Sequence, residues 1–443
     1  MKQPFAVPRR LAPIGLALSA VVGAACSAHL GSASPATTTT ARTDQPAPVV
    51  QVSHDQFGAH AEPAVAANPT NPNNLLAATM VYQSSARGLA TYASLDRGRT
   101  WRSNGLLPGA GIDYDADVTV TFDPEGHGFV SGWVGNQAHP DQGGVRIWRT
   151  DDGGRSFRPP VLAVSGFMDH PSLASDPTSA SQDLYLAGTF TAGSGLRFTR
   201  STDDGNSFEP TRVIDPTNGT QGRLPVISAG LNGLVAVMYY VFQPDGTPVA
   251  TVVTSTDHGQ TFGRPTALSP VQSPTDITEV NARGGPALTA DPKTGDLYAA
   301  ITTTNAGTSE LDVYASHDYG NSWPPAVTVA RSTSATYFQA QLTVDNSGRV
   351  GLFTFEFISG AVEPLVYTSQ PKTTAFGPAH RLTAAGFNPQ AGLVAGTSGD
   401  AGNSNGPAWI GDYQAIAVTP GEFHPVWNDG TPGSLQLMTT TVA

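Results

Sequence analysis

A single cysteine, Cys26, leaves the chain without any possible intramolecular disulfide. Charge is also scarce. Only 13% of the 443 residues are Asp, Glu, Lys or Arg, too few to clothe long solvent-facing helices. Three of the 23 basic residues are lysine and no basic cluster forms, which excludes a nucleic-acid footprint. The one long apolar run, Leu11 to Ala25, is short for a membrane span. The sequence has no zinc spacing, no phosphate loop and no nucleophile elbow, and its ten histidines are scattered.

Glycine (48) and proline (36) are abundant, as expected of a β-rich chain with many turns. The net charge of −12 and pI of about 5.2 suit solubility. One frame recurs five times. It reads Ser94-x-Asp96-x-Gly98-x-Thr100-Trp101, then Thr150-x-Asp152-x-Gly154-x-Ser156-Phe157 and Ser201-x-Asp203-x-Gly205-x-Ser207-Phe208. Ser255-x-Asp257-x-Gly259-x-Thr261-Phe262 and Ser316-x-Asp318-x-Gly320-x-Ser322-Trp323 complete the set. An alternating strand precedes each copy. The Asp and hydroxyl side chains suit the backbone bonding of a tight turn, and the glycine supplies a positive φ. The aromatic is expected to fold back on the strand it left.

This frame resembles the Asp-box (BNR) repeats of the sialidase superfamily, where the box is a structural turn of a β-propeller blade. The resemblance covers nearly all of the chain after residue 48, and it implies an all-β fold. Successive frames lie 56, 51, 54 and 61 residues apart, the length of a four-stranded blade. Pro364–Ser369 and Leu435–Thr440 match the strand pattern without a box, giving seven units. The last unit runs out of chain after its third strand. Val49–Val52 is therefore expected to supply the fourth strand and close a seven-bladed propeller, with six blades as the alternative.

The N-terminus reads as a secretory signal over residues 1–26, with Lys2, Arg9 and Arg10 before the apolar run. Cys26 follows Gly23-Ala24-Ala25 and resembles a lipoprotein cleavage site, so lipidation at Cys26 is expected, with ordinary cleavage near Ala24 or Ala28 as the alternative. Residues 27–48 are a Ser/Thr/Ala/Pro spacer with nothing to build a core, and residues 49–443 form the propeller. The expected localisation is the outer face of the cell membrane or secretion, as a monomer touching membrane only through the lipid.

Antiparallel alternation puts the box turns on one face and the starts of the inner strands on the other. A ligand site is expected on the second face. Those starts are polar: Glu62, Asp115 and Asp117, Asp169 and His170, Arg223, Arg283, Gln339 and Gln341, Asp412 and Tyr413. The sialidase resemblance implies an arginine set, an acidic proton donor and a Tyr–Glu nucleophilic pair. Arg223-Leu-Pro225 resembles the Arg-Ile-Pro start, although in the fourth unit. The first unit reads Ala61-Glu62-Pro63, with no arginine. Gly411-Asp412-Tyr413 resembles the catalytic-tyrosine segment. Tyr413, Glu279 and Asp117 are the implied catalytic residues, with Arg223, Arg283, Glu62, Asp169 and Asp412 as ligand contacts. The implied partner is an extracellular glycan or acidic sugar. The alternatives are an active exo-glycosidase of sialidase type and an inert protein-binding scaffold. No cofactor is expected, except that Asp113, Asp115 and Asp117 could hold Ca²⁺.

Overall fold

The computed structural model describes residues 48–443 except 84–85, 112, 114, 137, 140–141, 179–181, 190–194, 216–221, 271–284 and 392–408. Cys26, Glu279, Arg283 and nearly all of the 27–48 spacer therefore lie outside the described residues. The side chain of Arg223 is likewise not described.

Seven four-stranded antiparallel sheets form the molecule, as the repeat count anticipates. Their inner strands are Ala59–Ala67, Ala116–Phe122, Asp169–Ser175, Gly222–Ala229, Ala287–Ala290, Ala335–Val344 and Ala415–Thr419. Each inner strand touches the next, and the seventh touches the first, so the blades close a ring. Val50 pairs with Thr439 and Gln51 with Met438, which makes the N-terminal segment the outermost strand of the last blade. The seven-bladed expectation holds, and the six-bladed alternative does not.

The sequence explains which strands lie deepest. The second strand of each blade is sandwiched between the faces of its neighbours. Leu75–Gln83, Gly128–Val134 and Leu184–Thr189 are buried along almost their whole length and read as continuous apolar runs. Outer strands such as Val161–Ser165 and Thr266–Pro270 reach water and mix polar with apolar residues.

All five eight-residue turns take one hydrogen-bonded form. The leading hydroxyl donates to the Asp Oδ1 at 2.7–2.9 Å and accepts the glycine N–H at 2.8–3.0 Å. The same Oδ1 accepts the N–H of the second hydroxyl residue at 2.8–2.9 Å. The terminal aromatics pack into clusters that hold residues of their own entering strand, Tyr92 for Trp101 and Val253 for Phe262, and also reach the seam with the preceding blade. Phe262, for example, packs edge-on against Phe198 of the third blade at 4.9 Å.

Candidate functional site

Register fixes the two faces. Leu75 pairs with both Ala67 and Ser94, so the turn motif sits at the C-terminal end of the inner strand. The N-terminal ends of the inner strands surround the channel on the other face.

Five inner strands share an irregularity there. Pairing breaks between Ala61 and Ala64, Ala116 and Thr119, Asp169 and Ser172, Arg223 and Val226, and Phe338 and Gln341. One residue in each break is left-handed: Glu62 (φ 57), Asp117 (φ 56), His170 (φ 49), Leu224 (φ 55) and Gln339 (φ 52). Such a conformation is uncommon for residues with a Cβ, and strained backbone of this kind gathers at functional sites. The next residue is proline in three of the five, Pro63, Pro171 and Pro225. A bulge on an edge strand strands an N–H, and proline has none to leave unpaired.

The bulges aim polar side chains into one mouth above a cavity of about 240 Å³. Asp117, His170 and Tyr413 line it directly. Glu62 lies behind them, only 3% exposed, and its Oε1 accepts the Asp412 N–H at 3.3 Å. His170 sits among carboxylates. Its Nδ1 is 3.8 Å from Asp117 Oδ1, and its Nε2 is 3.9 Å from Asp169 Oδ1 and 4.0 Å from Asp412 Oδ2. Its backbone N–H also donates to Asp117 Oδ2 at 3.3 Å. The Tyr413 ring meets the imidazole edge-on at 6.2 Å, and its hydroxyl donates to the Val118 carbonyl at 3.4 Å.

Burial and crowding set the protonation of this group. Glu62 is pushed well above the usual carboxylate range, first by burial and then by the charges of Asp117 and Asp412. Asp117 is raised too, chiefly by burial, with His170 pulling the other way. Burial opposes charge on His170, but Asp117, Asp169, Asp412 and Glu62 outweigh it and hold the pKa up at about 9. Burial, followed by the nearby Glu62, Asp117 and Asp412 carboxyls, pushes the Tyr413 phenol well up. Burial and crowding thus favour the protonated form of Glu62, the imidazolium form of His170 and the neutral phenol of Tyr413.

A hydrogen-bonded frame holds the tyrosine segment. Gln339 donates to the Gly411 carbonyl at 2.6 Å, and Gln414 donates to Gln339 Oε1 at 2.9 Å. Gly411 has φ 88, and a Cβ there would lie 2.8 Å from the Glu62 backbone nitrogen. The chain can press this close to Glu62 only with glycine at that position.

Of the residues singled out from sequence, Glu62, Asp117, Asp412, Asp169 and Tyr413 converge. Glu279 and Arg283 lie outside the described residues. Arg223 opens its inner strand opposite Tyr240, with its side chain not described. Asp113, Asp115 and Asp117 do not converge as a Ca²⁺ site would require. Asp113 takes the Asn136 amide at 2.8 Å and Asp115 the Gly135 N–H at 3.2 Å, while Asp117 faces the channel. His170, one of the polar strand starts, joins the converging residues at the centre of the group. The signal for it is its place directly before a proline at an inner-strand start, as with Glu62.

No family model matches the chain, and the comparison with curated proteins gave no match. Among solved structures, a protein of unknown function from Dyadobacter fermentans aligns over 90% of this chain and 98% of its own. Its identity is 13% and its TM-score 0.53. An ulvan lyase, a polysaccharide lyase bound to -[GlcA(1-4)Rha3S]-, covers 86% of this chain and 94% of its own, at 10% identity and TM-score 0.52. A Hadza microbial sialidase covers 83% of this chain and 76% of its own, at 14% identity and a TM-score of 0.46, too low to argue from. At these identities the likeness is one of fold.

Proposed function

We propose that the chain is an exported carbohydrate-processing propeller that seats the terminal sugar of a glycan at the channel mouth and hydrolyses its glycosidic bond. The observation that carries this reading is the unequal setting of two buried carboxyls, Glu62 and Asp117, on neighbouring blades. Burial and the charges of Asp117 and Asp412 favour the protonated form of Glu62, while Asp117 faces the imidazolium of His170. Two neighbouring carboxyls of which one lies beside an imidazolium and the other does not suit the acid and base roles of glycoside hydrolysis. Glu62, set behind the lining, gives its proton through one intervening water to the departing glycosidic oxygen, a second water adds at the anomeric carbon, and Asp117 takes the proton that this second water loses. Tyr413, held neutral, serves as a hydrogen-bond donor to the sugar. The polysaccharide lyase among the structural neighbours supports a carbohydrate ligand only at the level of fold.

His170 is a poor candidate for the base of an elimination. A group protonated up to about pH 9 cannot accept a proton at neutral pH. Export rests on the N-terminal signal pattern, and tethering on lipidation of Cys26.

A panel of chromogenic glycosides and a glycan array test the reading together. Turnover lost in Glu62→Gln with binding retained supports it. A wild-type protein that neither binds nor cleaves any glycan refutes it. Fractionation of cells expressing Cys26→Ser tests the tether, which fails if the wild-type protein is itself wholly soluble.

A further inference from the structure

We infer that the chain carries a four-coordinate site for a divalent ion of the Zn²⁺ type between its third and fourth blades, held by Asp176, Asp183, Tyr185 and His258. The site lies on the face of the turn motifs, away from the channel mouth, and stands apart from the carbohydrate reading.

The turn motif builds one half of it. The residue after the motif Asp is left-handed and reaches back to the preceding blade: Arg97 to Glu422, Asp204 to Arg149 and His258 to Asp176. The His258 N–H donates to the Gly233 carbonyl at 3.0 Å, which fixes the approach of the ring. The third blade supplies the other half. Asp176 and Asp183 flank the turn between Asp169–Ser175 and Leu184–Thr189. Thr178 donates its N–H at 2.9 Å and its hydroxyl at 2.6 Å to Asp176 Oδ1, so that Oδ2 is the oxygen that meets His258.

Four donor atoms converge there. His258 Nδ1 is 3.1 Å from Asp176 Oδ2, 3.7 Å from Asp183 Oδ2 and 3.3 Å from the Tyr185 hydroxyl. That hydroxyl is 2.9 Å from Asp176 Oδ2 and 3.3 Å from Asp183 Oδ2. Five of the six edges of a tetrahedron thus measure 2.9–3.7 Å. An ion bound at about 2.0–2.1 Å sets tetrahedral donors about 3.3–3.4 Å apart.

Hydrogen bonding alone does not account for the cluster. The phenol has one proton and Nδ1 at most one, while ionised carboxylates bring none. Two protons cannot serve five close pairs, so lone pairs face one another unless a cation sits between them. A seam neutralised by the protein itself looks different. One blade back, Asp123, His127 and Asp204 gather in the same position, and there Arg149 pairs with Asp204. The corresponding Arg200 turns instead to Glu209 Oε1 at 2.9 Å and to the His258 carbonyl at 2.7 Å. Mixed nitrogen and oxygen donors at four corners suit Zn²⁺, whereas Ca²⁺ and Mg²⁺ call for about six or more oxygens. The Asp176 side chain is fully buried and that of His258 is 41% exposed, so the ion enters past His258. Its ligands come from two blades, which makes it a staple across the seam.

The test uses the untagged full chain, stripped with EDTA and then freed of chelator. Titration calorimetry with Zn²⁺ is expected to show a single tight equivalent, and Tm should rise by about 3 °C at about 100-fold over Kd. Co²⁺ in its place should give the intense visible absorption of a tetrahedral ion. His258→Gln and Asp183→Asn should each weaken Zn²⁺ binding at least about tenfold, whereas His127→Gln at the preceding seam should leave it unchanged. Weak binding of several equivalents, an adventitious ion only, overturns the inference. So does an octahedral Co²⁺ spectrum, or variants that bind Zn²⁺ as the wild type does. If a variant fails to fold, the wild-type Co²⁺ spectrum decides. None of these readouts involves a glycan, so the inference and the proposed function stand or fall separately.

Discussion

The backbone N–H of Asp412 donates to the Glu62 carboxyl at 3.3 Å, joining residues 350 positions apart in the chain. Closure of the ring makes that contact possible, because it sets the seventh inner strand beside the first. The two halves of the candidate site, Glu62 from one end of the propeller and Tyr413 from the other, therefore exist only in the closed molecule. Function and closure are linked through this seam.

Glu62→Gln keeps the shape and removes the transferable proton. The expected result is a fall in kcat of about 10²–10⁴-fold with KM little changed, the range general acid catalysis supplies. The basic limb of the kcat profile, set by loss of the Glu62 proton, should flatten in the variant. A variant that keeps wild-type kcat and pH profile would remove Glu62 from the proton-donor role.

Tyr413→Phe separates two roles for the phenol. Burial and neighbouring carboxyls keep the hydroxyl protonated, so it acts here as a donor. Losing one hydrogen bond is worth about 1 kcal/mol, a fall of roughly fivefold to tenfold in kcat/KM. Complete loss of turnover with ligand affinity intact would instead mark Tyr413 as the nucleophile that the sialidase resemblance implies.

The repeat frame carried the architecture in full, since five copies of one turn at blade spacing admit few folds. Blade count and closure followed from strand patterns and from the missing last strand. The site was legible in part. Alternation told which face it occupies and gathered Glu62, Asp117, Asp169, Asp412 and Tyr413. It could not tell that Asp115, two residues before Asp117, turns away from the channel to Gly135. A bulge resets the side-chain alternation, and only the Pro after Glu62 or His170 hints at one. The protonation pattern was hidden for another reason. It depends on how deeply Glu62 is buried behind its neighbours, which spacing does not encode.

His170 should make the fold sensitive to alkali. Its pKa rises from 6.5 to about 9 on folding, so its contribution is fully present below about pH 6.5 and is lost as pH climbs through about 9. Glu62 has the same sign, because its raised pKa favours the folded state only while it keeps its proton. Thermal unfolding followed from pH 6 to 10 should show Tm falling across that window. His170→Gln should flatten the fall, and an equally steep decline in the variant would assign it elsewhere.

Acid should act on the turns. Burial is the largest single influence on Asp257 and raises it, but bonds from Thr261, Ser255 and the turn backbone together outweigh it and hold the pKa at about 2. Asp96, Asp152, Asp203 and Asp318 are lowered as well. This stability is present above the unfolded value near 3.8 and is lost as pH falls toward 2. Asp318→Ala should cost about 1 kcal/mol, the low end for a partly exposed hydrogen-bonding group. Activity should be unchanged, because the turn lies on the face away from the site. Lost activity at unchanged Tm would contradict that separation.

The closing strand offers the sharpest contrast between neighbouring positions. Val52 is fully buried and its N–H donates to the Leu437 carbonyl at 2.8 Å, whereas Val49 is 36% exposed. Ser53 ties the same strand down, its hydroxyl donating to Gln436 Oε1 at 2.6 Å and accepting the Leu437 N–H at 3.0 Å. Val52→Ala should therefore destabilise by about 2 kcal/mol through lost burial, and Val49→Ala by less than about 0.5 kcal/mol. Val52→Asp goes further, because a charge buried without a partner should detach the strand and bare the edge of Gln436–Thr439. An open edge invites pairing between molecules, so concentration-dependent association should appear by size-exclusion chromatography. Because closure also sets Asp412 against Glu62, the same variant should lose turnover. If Val52→Asp stayed monomeric and fully active, the N-terminal strand would be ornamental, and the ring would be held by its seams alone.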